Sequence, residues 1–328
     1  MERRKIKNFS FLISISILFL LYLLLNAPVN NQNEIILEVK SGDTFYNIAN
    51  YLKQNKIIKS KKFFLLNVLI LQKSKKLQRG VYNIKDSYST LKIIKILTEG
   101  KIYQKVITIP EGFNMFQIAE LLEKEKIISK EEFVKACKNP EILKKYKIDS
   151  QTAEGFLFPD TYYIPFNPDS NSIVEIMIKN FFQKVNELYL KRMKEKNYTL
   201  KEMVTLASLV EWEAASDFER PIIASVFLNR LKKNLNLASC ATVLYALGNH
   251  KNRLLFKDLK KDSPYNTYIY KGLPPTPICN PSLNSILAVL YPAKTDYLYF
   301  VSMGNKRHYF SKTYSEHLNA YKKFVLQE

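Results

Sequence analysis

Apolar residues run unbroken in one place along this chain and recur periodically in most others. Between Phe9 and Leu25 the only polar members are serine and tyrosine. At ~1.5 Å per residue such a helix spans about 26 Å, close to the apolar thickness of a bilayer. Arg3, Arg4, Lys5 and Lys7 stand before it against a single Glu2, which predicts an N-terminus held in the cytoplasm and a chain that continues outside. The run is longer than the core of a cleaved leader, and no small-x-small site follows it. The pattern therefore predicts an uncleaved anchor over residues 9–27, a cytoplasmic tail over 1–8, and a short polar linker from Asn26 to Asn33.

Beyond the linker the pattern repeats. Val39–Phe63 and Ile109–Phe133 match at a constant offset of 70 positions: Gly42 with Gly112, Ile48-Ala49 with Ile118-Ala119, Leu52 with Leu122, Ile57-Ile58 with Ile127-Ile128, and Phe63 with Phe133. A register shared over so many positions marks an internal duplication. Each copy reads as a strand, a glycine turn, an amphipathic helix, an Ile-Ile pair and a second helix. Asp43 or Thr44 caps the first helix of the first copy. The connecting segment Arg79–Gly100 carries a strand at Val81–Ile84 and a helix with Leu91, Ile94 and Leu97, stopped by Gly100.

After Lys147 aromatics, prolines and asparagines concentrate, and Leu206–Leu231 (LASLVEWEAASDFERPIIASVFLNRL) places Glu211, Glu213 and Glu219 within two apolar helical patterns separated by Ala214–Asp217. Burying a carboxylate costs several kcal/mol unless it is paired or protonated. A carboxyl at the edge of an apolar wall keeps its proton more readily, which suits a general acid. Glu211 and Glu213 point about 200° apart on one helix, so only one of them faces a given cleft. Glu213 then serves as support, or as a partner for Arg220 or Arg230. Glu219-Arg220-Pro221 reads as a helix start, with Pro221 in the first turn and Glu219 at the positive end. Ile223, Val226, Phe227 and Leu231 form a core face, and Asn229 is left either to that packing or to a hydrogen bond with a ligand or Glu211. Ser263–Pro277 is too rich in proline for a helix. Its Tyr265, Asn266, Thr267 and Tyr268 form either a ligand-binding edge or a packed loop. Phe156, Phe158 and Tyr162 read as core, and Tyr297–Ser302 as a strand.

The 328 residues allow two or three domains. Lysine and arginine number 50 against 30 acidic residues, a net charge of +20, but the basic residues are scattered and no nucleic-acid-binding signature accompanies them, so no nucleic-acid partner is expected. The histidines are His250, His308 and His317, the cysteines are Cys137, Cys240 and Cys279, and no HExxH or CxxC occurs. Neither a metal site nor another cofactor is expected.

Taken in order, the runs EGFLFPDTY, LASLVEWE, ERPIIASVFLNRL, YNTY, GLPPTPICNP and PAKTDYLYFV resemble those of the MltG/YceG-like endolytic peptidoglycan (murein) transglycosylases, over nearly the whole chain. The first repeat copy, with Ser41-Gly42-Asp43-Thr44, resembles the LysM glycan-binding module; the other reading is a spacer. The resemblance implies a lyase that cleaves the MurNAc-GlcNAc bond inside glycan strands without water and leaves 1,6-anhydro-MurNAc ends, trimming or terminating nascent strands. It implies Glu211, the first glutamate of LASLVEWE, as the catalytic acid. One departure stands out. The family commonly carries a Leu-Gln-x-Asp-Pro-Thr-Val-like run where this chain has Leu237-Ala238-Ser239-Cys240-Ala241-Thr242-Val243, so a cysteine replaces an acid. A Cys240–Cys279 disulfide is one expectation in an oxidising compartment, two free buried thiols the other.

The expected fold is α+β: a transmembrane helix over 9–27, a LysM-like α+β subdomain and connector over 28–100, a second α+β repeat unit over 101–150, and a mixed α+β catalytic YceG-like domain over 151–328. The expected site has Glu211 as catalyst, with Glu213, Glu219, Asn229, Arg230, Thr242, Tyr265, Asn266, Thr267 and Tyr268 binding or supporting. The expected location is the cytoplasmic membrane, single-pass, with the catalytic domain outside. The expected partners are peptidoglycan strands, cell-wall synthases and the membrane through one helix. The competing expectation is a tethered peptidoglycan-binding adaptor that has lost catalysis.

Overall fold

Each repeat copy folds from the same local rules. In the first, strand β1 (Glu34–Val39) leads through a turn at Gly42 (φ 92°) to helices α2 (Phe45–Gln54) and α3 (Lys61–Ile70). In the second, β3 (Gln104–Thr108) leads through Gly112 (φ 75°) to α5 (Met115–Lys124) and α6 (Lys130–Cys137). Both glycines occupy the left-handed region that a side chain disfavours. The Thr44 hydroxyl accepts the Asn47 N–H at 3.3 Å, and at the equivalent position Asn114 closes a capping box with Gln117. Lys56 and Lys126 both end the first helix with positive φ. Ile48, Ala49 and Leu52 are buried in one copy, and Ile118, Ala119 and Leu122 in the other.

The computed structural model describes residues 2–248 and 254–326, with the side chains of residues 2–8 and of Ser10 outside the described set. It divides into two compact units, Met1–Lys105 and Val106–Glu328. In the first unit β1 pairs antiparallel with β2 (Gly80–Lys85), from Glu34 opposite Lys85 to Val39 opposite Gly80. Its apolar core is built from β1, α2, α3, β2 and α4 (Thr90–Glu99). Gly100 ends α4 at φ 69°. The linker is tied down by Asp86, a buried carboxylate that accepts the N–H groups of Asn31 at 2.7 Å and Asn33 at 3.0 Å. Helix α1 (Glu2–Asn26) enters this unit at its C-terminal end, where Asn26 Oδ1 accepts the Leu91 N–H. From Phe11 to Leu24 its large apolar side chains are exposed. Among the described residues no helix is long and apolar enough to cross a membrane. The side chains of the tail, residues 2–8, lie outside those residues.

In the second unit β3 pairs with β4 (Thr161–Pro165), and one apolar core runs from Ile107 to Leu290. The second repeat copy shares that core with the segments after Lys147. Around it stand α7 (Pro140–Lys145), α8 (Ser170–Lys184), α9 (Glu187–Glu195), α10 (Leu200–Glu213), α11 (Arg220–Lys232), α12 (Cys240–Leu247), α13 (Leu283–Leu290) and α14 (Tyr314–Phe324). The hairpin β5 (Tyr299–Ser302) and β6 (His308–Ser311) is antiparallel. The two apolar patterns of Leu206–Leu231 become α10 and α11, joined through a 3₁₀ turn at Asp217–Glu219. Phe156, Phe158 and Tyr162 are buried, as their sequence pattern predicts.

Asn280, fully buried, fastens this unit. Its backbone N–H and its Nδ2 both donate to Phe113 O, at 2.9 Å each, and Gly112 N–H donates back to Asn280 O at 3.0 Å. Its Oδ1 accepts Gly155 N–H and Leu157 N–H, and its Nδ2 also reaches Glu154 Oε1 at 2.9 Å. One amide thus joins the Gly112 turn to the Glu154–Phe158 loop. Glu154 has no exposed surface; it takes further bonds from Met115 N–H and the Tyr245 hydroxyl. Burial, only partly offset by these donors, pushes its carboxyl up to about 8.

Two consequences are measurable. A Cβ on Gly155 (φ 89°) would lie 2.5 Å from Pro277 Cγ and 2.8 Å from Val204 Cγ1; Gly155→Ala is expected to destabilise the fold by about 2–5 kcal/mol, read from the urea midpoint. Glu154 is an acid whose proton is held more tightly folded than unfolded, so its contribution is fully present below its ordinary value of 4.5 and is lost as pH rises towards about 8. Urea midpoints are expected to fall across that window, and Glu154→Gln is expected to flatten the decline.

Candidate active site

Glu211 lies near the C-terminal end of α10, whose N-terminus is fixed by a capping box between Thr199 and Glu202. Its side chain is 5% exposed. The apolar wall expected around it is not what its carboxyl meets. Oε1 pairs with Arg220 Nη1 at 3.0 Å, and Oε2 accepts the Ser282 N–H at 2.8 Å and the Ser282 hydroxyl at 2.6 Å. Ser282 is the N-cap of α13, so the carboxylate also sits at that helix's positive end. These are charge-assisted bonds, stronger and better aimed than neutral ones. Arg220 is itself held, by Asp217 Oδ1 at 2.8 Å and by Ser285 Oγ at 2.6 Å.

The other face of Glu211 is covered by the turn of the second repeat. A Cβ on Gly112 would stand 3.6 Å from Glu211 Cγ and 4.0 Å from Trp212 Nε1, and Trp212 Nε1 donates to Gly112 O at 3.1 Å. The equivalent Gly42 faces open space. Next to this turn Glu111 is exposed. Partial burial and the charge of Glu211, with that of Asp217, raise its pKa, while Arg220 lowers it. Arg220 is paired with Glu211 and Asp217, and Glu111 lies within reach of its charge. Sequence reasoning missed Glu111: the acid before the turn glycine is peculiar to the second copy, but nothing local says that Gly112 meets a residue a hundred positions away. A cavity beside Trp212 is lined by Asn114, Phe116 and Glu120 on one side and by Ala241, Leu244 and Tyr245 on the other, so α5 of the second repeat and α12, not the Tyr265–Tyr268 loop, supply its walls.

Several expected roles change. Glu213 points away from Glu211, as the helical spacing requires, but pairs with neither arginine: it accepts the Ser239 hydroxyl at 2.5 Å, and burial raises its pKa. Arg230 donates to Leu237 O and lies over the Tyr299 ring. Glu219 occupies the N-cap position of α11 yet makes no cap; buried, it accepts His308 N–H and faces His308 Nδ1, both at 2.8 Å. Asn229 Nδ2 is spent on the carbonyls of Thr295 and Tyr297, tying the Tyr291–Ser302 segment to α11. Within the Tyr265–Tyr268 loop the packed reading holds for Asn266 and Thr267, which are buried. Asn266 Nδ2 bonds Leu259 O and Lys261 O, and Thr267 bonds Ser239 N–H and Thr242 Oγ1. Thr242 is buried as well and donates to Ser239 O. The Tyr265 hydroxyl pairs with Thr276, and that of Tyr268 with Cys240 Sγ at 3.2 Å. The expected Cys240–Cys279 bridge is absent: Cys279 is buried with its thiol on Ser208 O, and Cys240 is an exposed free thiol.

The YceG-like family profile matches residues 37–323. Among curated proteins, the endolytic murein transglycosylase of Bacillus subtilis is 38% identical over 314 residues, covering 90% of this chain and 86% of that one. The protein of the same name from Streptococcus pneumoniae is 30% identical, and the match spans 61% of its length. A crystal structure of a yceG-like protein from Listeria monocytogenes superposes with a TM-score of 0.62 at 34% identity, over 87% of this chain and 98% of that one. On this match of sequence and fold, the chain belongs to the YceG-like family.

Proposed function

We propose that this chain is a peptidoglycan lytic transglycosylase, a lyase that cuts the MurNAc-GlcNAc bond inside glycan strands. The observation that carries the reading is the held carboxyl of Glu211, joined to the shared name of the curated relatives. A glycosidase that uses water needs two carboxylates with distinct duties. A lytic enzyme needs one. Protonated Glu211 gives its proton to the leaving glycosidic oxygen. The resulting carboxylate takes the proton of the muramic acid 6-hydroxyl as that oxygen attacks its own anomeric carbon. Bonds balance without water, the product end is a 1,6-anhydro sugar, and the effective molarity is supplied by the substrate. Arg220 and Ser282 fix the carboxyl and stabilise the charge it carries after the first proton transfer.

Glu111 favours a second reading, a hydrolase in which it serves as the partner carboxylate. We prefer an electrostatic role beside Glu211, whose charge helps raise the pKa of Glu111. Cys240 in place of an acid would favour the adaptor reading, but that thiol bonds Tyr268 and lies among the neighbours of Glu213, while Glu211 is held by Arg220 and Ser282. The anchor over 9–27 and glycan binding by the first unit complete the proposal; the exposed apolar run of α1 supports the former, and the strand–helix–helix–strand order of β1, α2, α3 and β2 is compatible with the latter.

Glu211→Gln is expected to lower turnover of purified glycan strands by at least about 10²-fold with the unfolding midpoint retained. Wild-type products weighed by mass spectrometry are expected to lack an added water; products one water heavier would establish the hydrolase. Glu111→Gln is expected to leave anhydro ends still formed, because Glu111 takes no part in breaking the bond; loss of all cleavage in that variant would make Glu111 the partner carboxylate of a hydrolase.

A further inference from the structure

Helix α3 is apolar on two sides, and only one of them is used. Phe64 and Val68 enter the core of the first unit and Phe63 is buried against Tyr22, whereas Leu66, Leu69 and Ile70 are 53%, 65% and 64% exposed. With Lys62 and Lys73 these three form one stripe at helical spacing, apolar in the middle and basic at both ends. The stripe lies beside the apolar run of α1. Lys59 Nζ donates to Leu24 O at 3.0 Å, the Tyr22 ring meets the Phe63 ring edge-on at 5.3 Å, and the Tyr22 hydroxyl reaches Asn67 Oδ1 at 3.4 Å. As α3 advances from Lys59 towards Asn67, its contacts on α1 retreat from Leu24 to Tyr22. The helices therefore run in opposite senses, and the Leu69-Ile70 end of α3 points along α1 into the run that begins at Phe9. Charge agrees with position: between Asp43 and Asp86 the chain has ten lysines and arginines and no acidic residue.

We propose that this face of α3 is a second membrane contact, seated in the headgroup and outer acyl region of the leaflet from which α1 emerges, with anionic phospholipid as its partner. The proposal rests on the reading of α1 as an anchor. An amphipathic helix with lysines flanking Leu and Ile binds such an interface through apolar burial and attraction to anionic lipid. Lys62 and Lys73 can extend their ammonium groups to the headgroups while their stems follow the apolar stripe. A second copy of the chain is the poorer occupant, because two surfaces this basic repel. Contact at both α1 and α3 would fix the first unit against the bilayer instead of leaving it on a free tether.

The test uses the full chain carrying Cys240→Ser, since Cys137 and Cys279 are buried. An environment-sensitive fluorophore is attached through Leu69→Cys, through Leu18→Cys in α1, or through Lys95→Cys on α4, and the protein is reconstituted into phosphatidylcholine vesicles with or without phosphatidylglycerol. The expected result is loss of Leu69 emission to lipids spin-labelled near the headgroup, with shielding from aqueous iodide. That loss should be greater with phosphatidylglycerol and weaker at high salt, while the Lys95 site stays open to iodide. Replacing Lys62, Lys73, Lys75 and Lys76 by glutamine is expected to remove most of the Leu69 quenching and leave that at Leu18 unchanged. If lipid quenches Leu18 but not Leu69, and iodide reaches Leu69, the anchor stands and the second contact is refuted. If Leu69 is shielded from iodide without lipid quenching, a second copy covers it and the proposal is again refuted. Absence of quenching at Leu18 would overturn the anchor itself, and this inference with it.

Discussion

The second unit depends on one buried amide. Asn280 holds the carbonyl of Phe113 and the N–H groups of Gly155 and Leu157, and with its backbone it clamps the Gly112 turn. A hydrogen bond exchanged for one with water is worth only about 1 kcal/mol net, but an unmade one in a dry site costs more. So many backbone groups meet at Asn280 that displacing it would orphan several at once. The consequence reaches Glu211, because the Gly112 turn is the surface that covers it and the acceptor that orients Trp212. The fastening at Asn280 therefore bears on the surroundings of Glu211, whose carboxyl is held on its other side by Arg220 and Ser282.

Glu154 sits in the same knot. Among the described residues no cation lies in bonding reach of Glu154, and a charge on a carboxyl with no exposed surface is expensive. Protonated, it costs far less, and burial favours that form. Two glutamates on neighbouring segments thus live by opposite rules. Glu154 is buried among neutral donors. Glu211 is given an arginine and a helix N-terminus. The contrast in bonding partners, more than burial as such, sets the two acids apart.

How much of this was legible in the chain depends on distance along it. The repeat was readable because its signal is local: turn glycines at 42 and 112, caps at Thr44 and Asn114, and apolar residues at matching positions. The opposed directions of Glu211 and Glu213 followed from helical geometry alone. α8 was readable in principle, since Ile173, Val174, Met177, Ile178 and Phe181 keep a helical period. What failed was partnership. Asn266, Thr267 and Asn229 have the chemistry of sugar-binding groups, but their bonds go to backbone brought in from 5 to 68 positions away. Glu219 has the chemistry of a helix cap and is taken instead by His308, 89 positions on. A polar residue advertises what it can bind, not which carbonyl will arrive, and arrival is decided by core packing.

Duplication explains why the missing piece of the site was hard to see. Both copies make the same glycine turn for the same backbone reason, and a turn that serves only its own chain reversal needs nothing on its outer side. That is the state of Gly42. In the second copy the outer side became a wall: the absent side chain at Gly112 lets backbone approach Glu211 Cγ, and the preceding residue became an acid. The change asks little of the repeat itself, because position 111 is exposed and outside the helix that follows. A repeat can therefore line a candidate site without departing from the pattern by which it is recognised as a repeat. The positions that escape the pattern, Pro110 and Glu111 against Lys40 and Ser41, are where such a lining is to be sought.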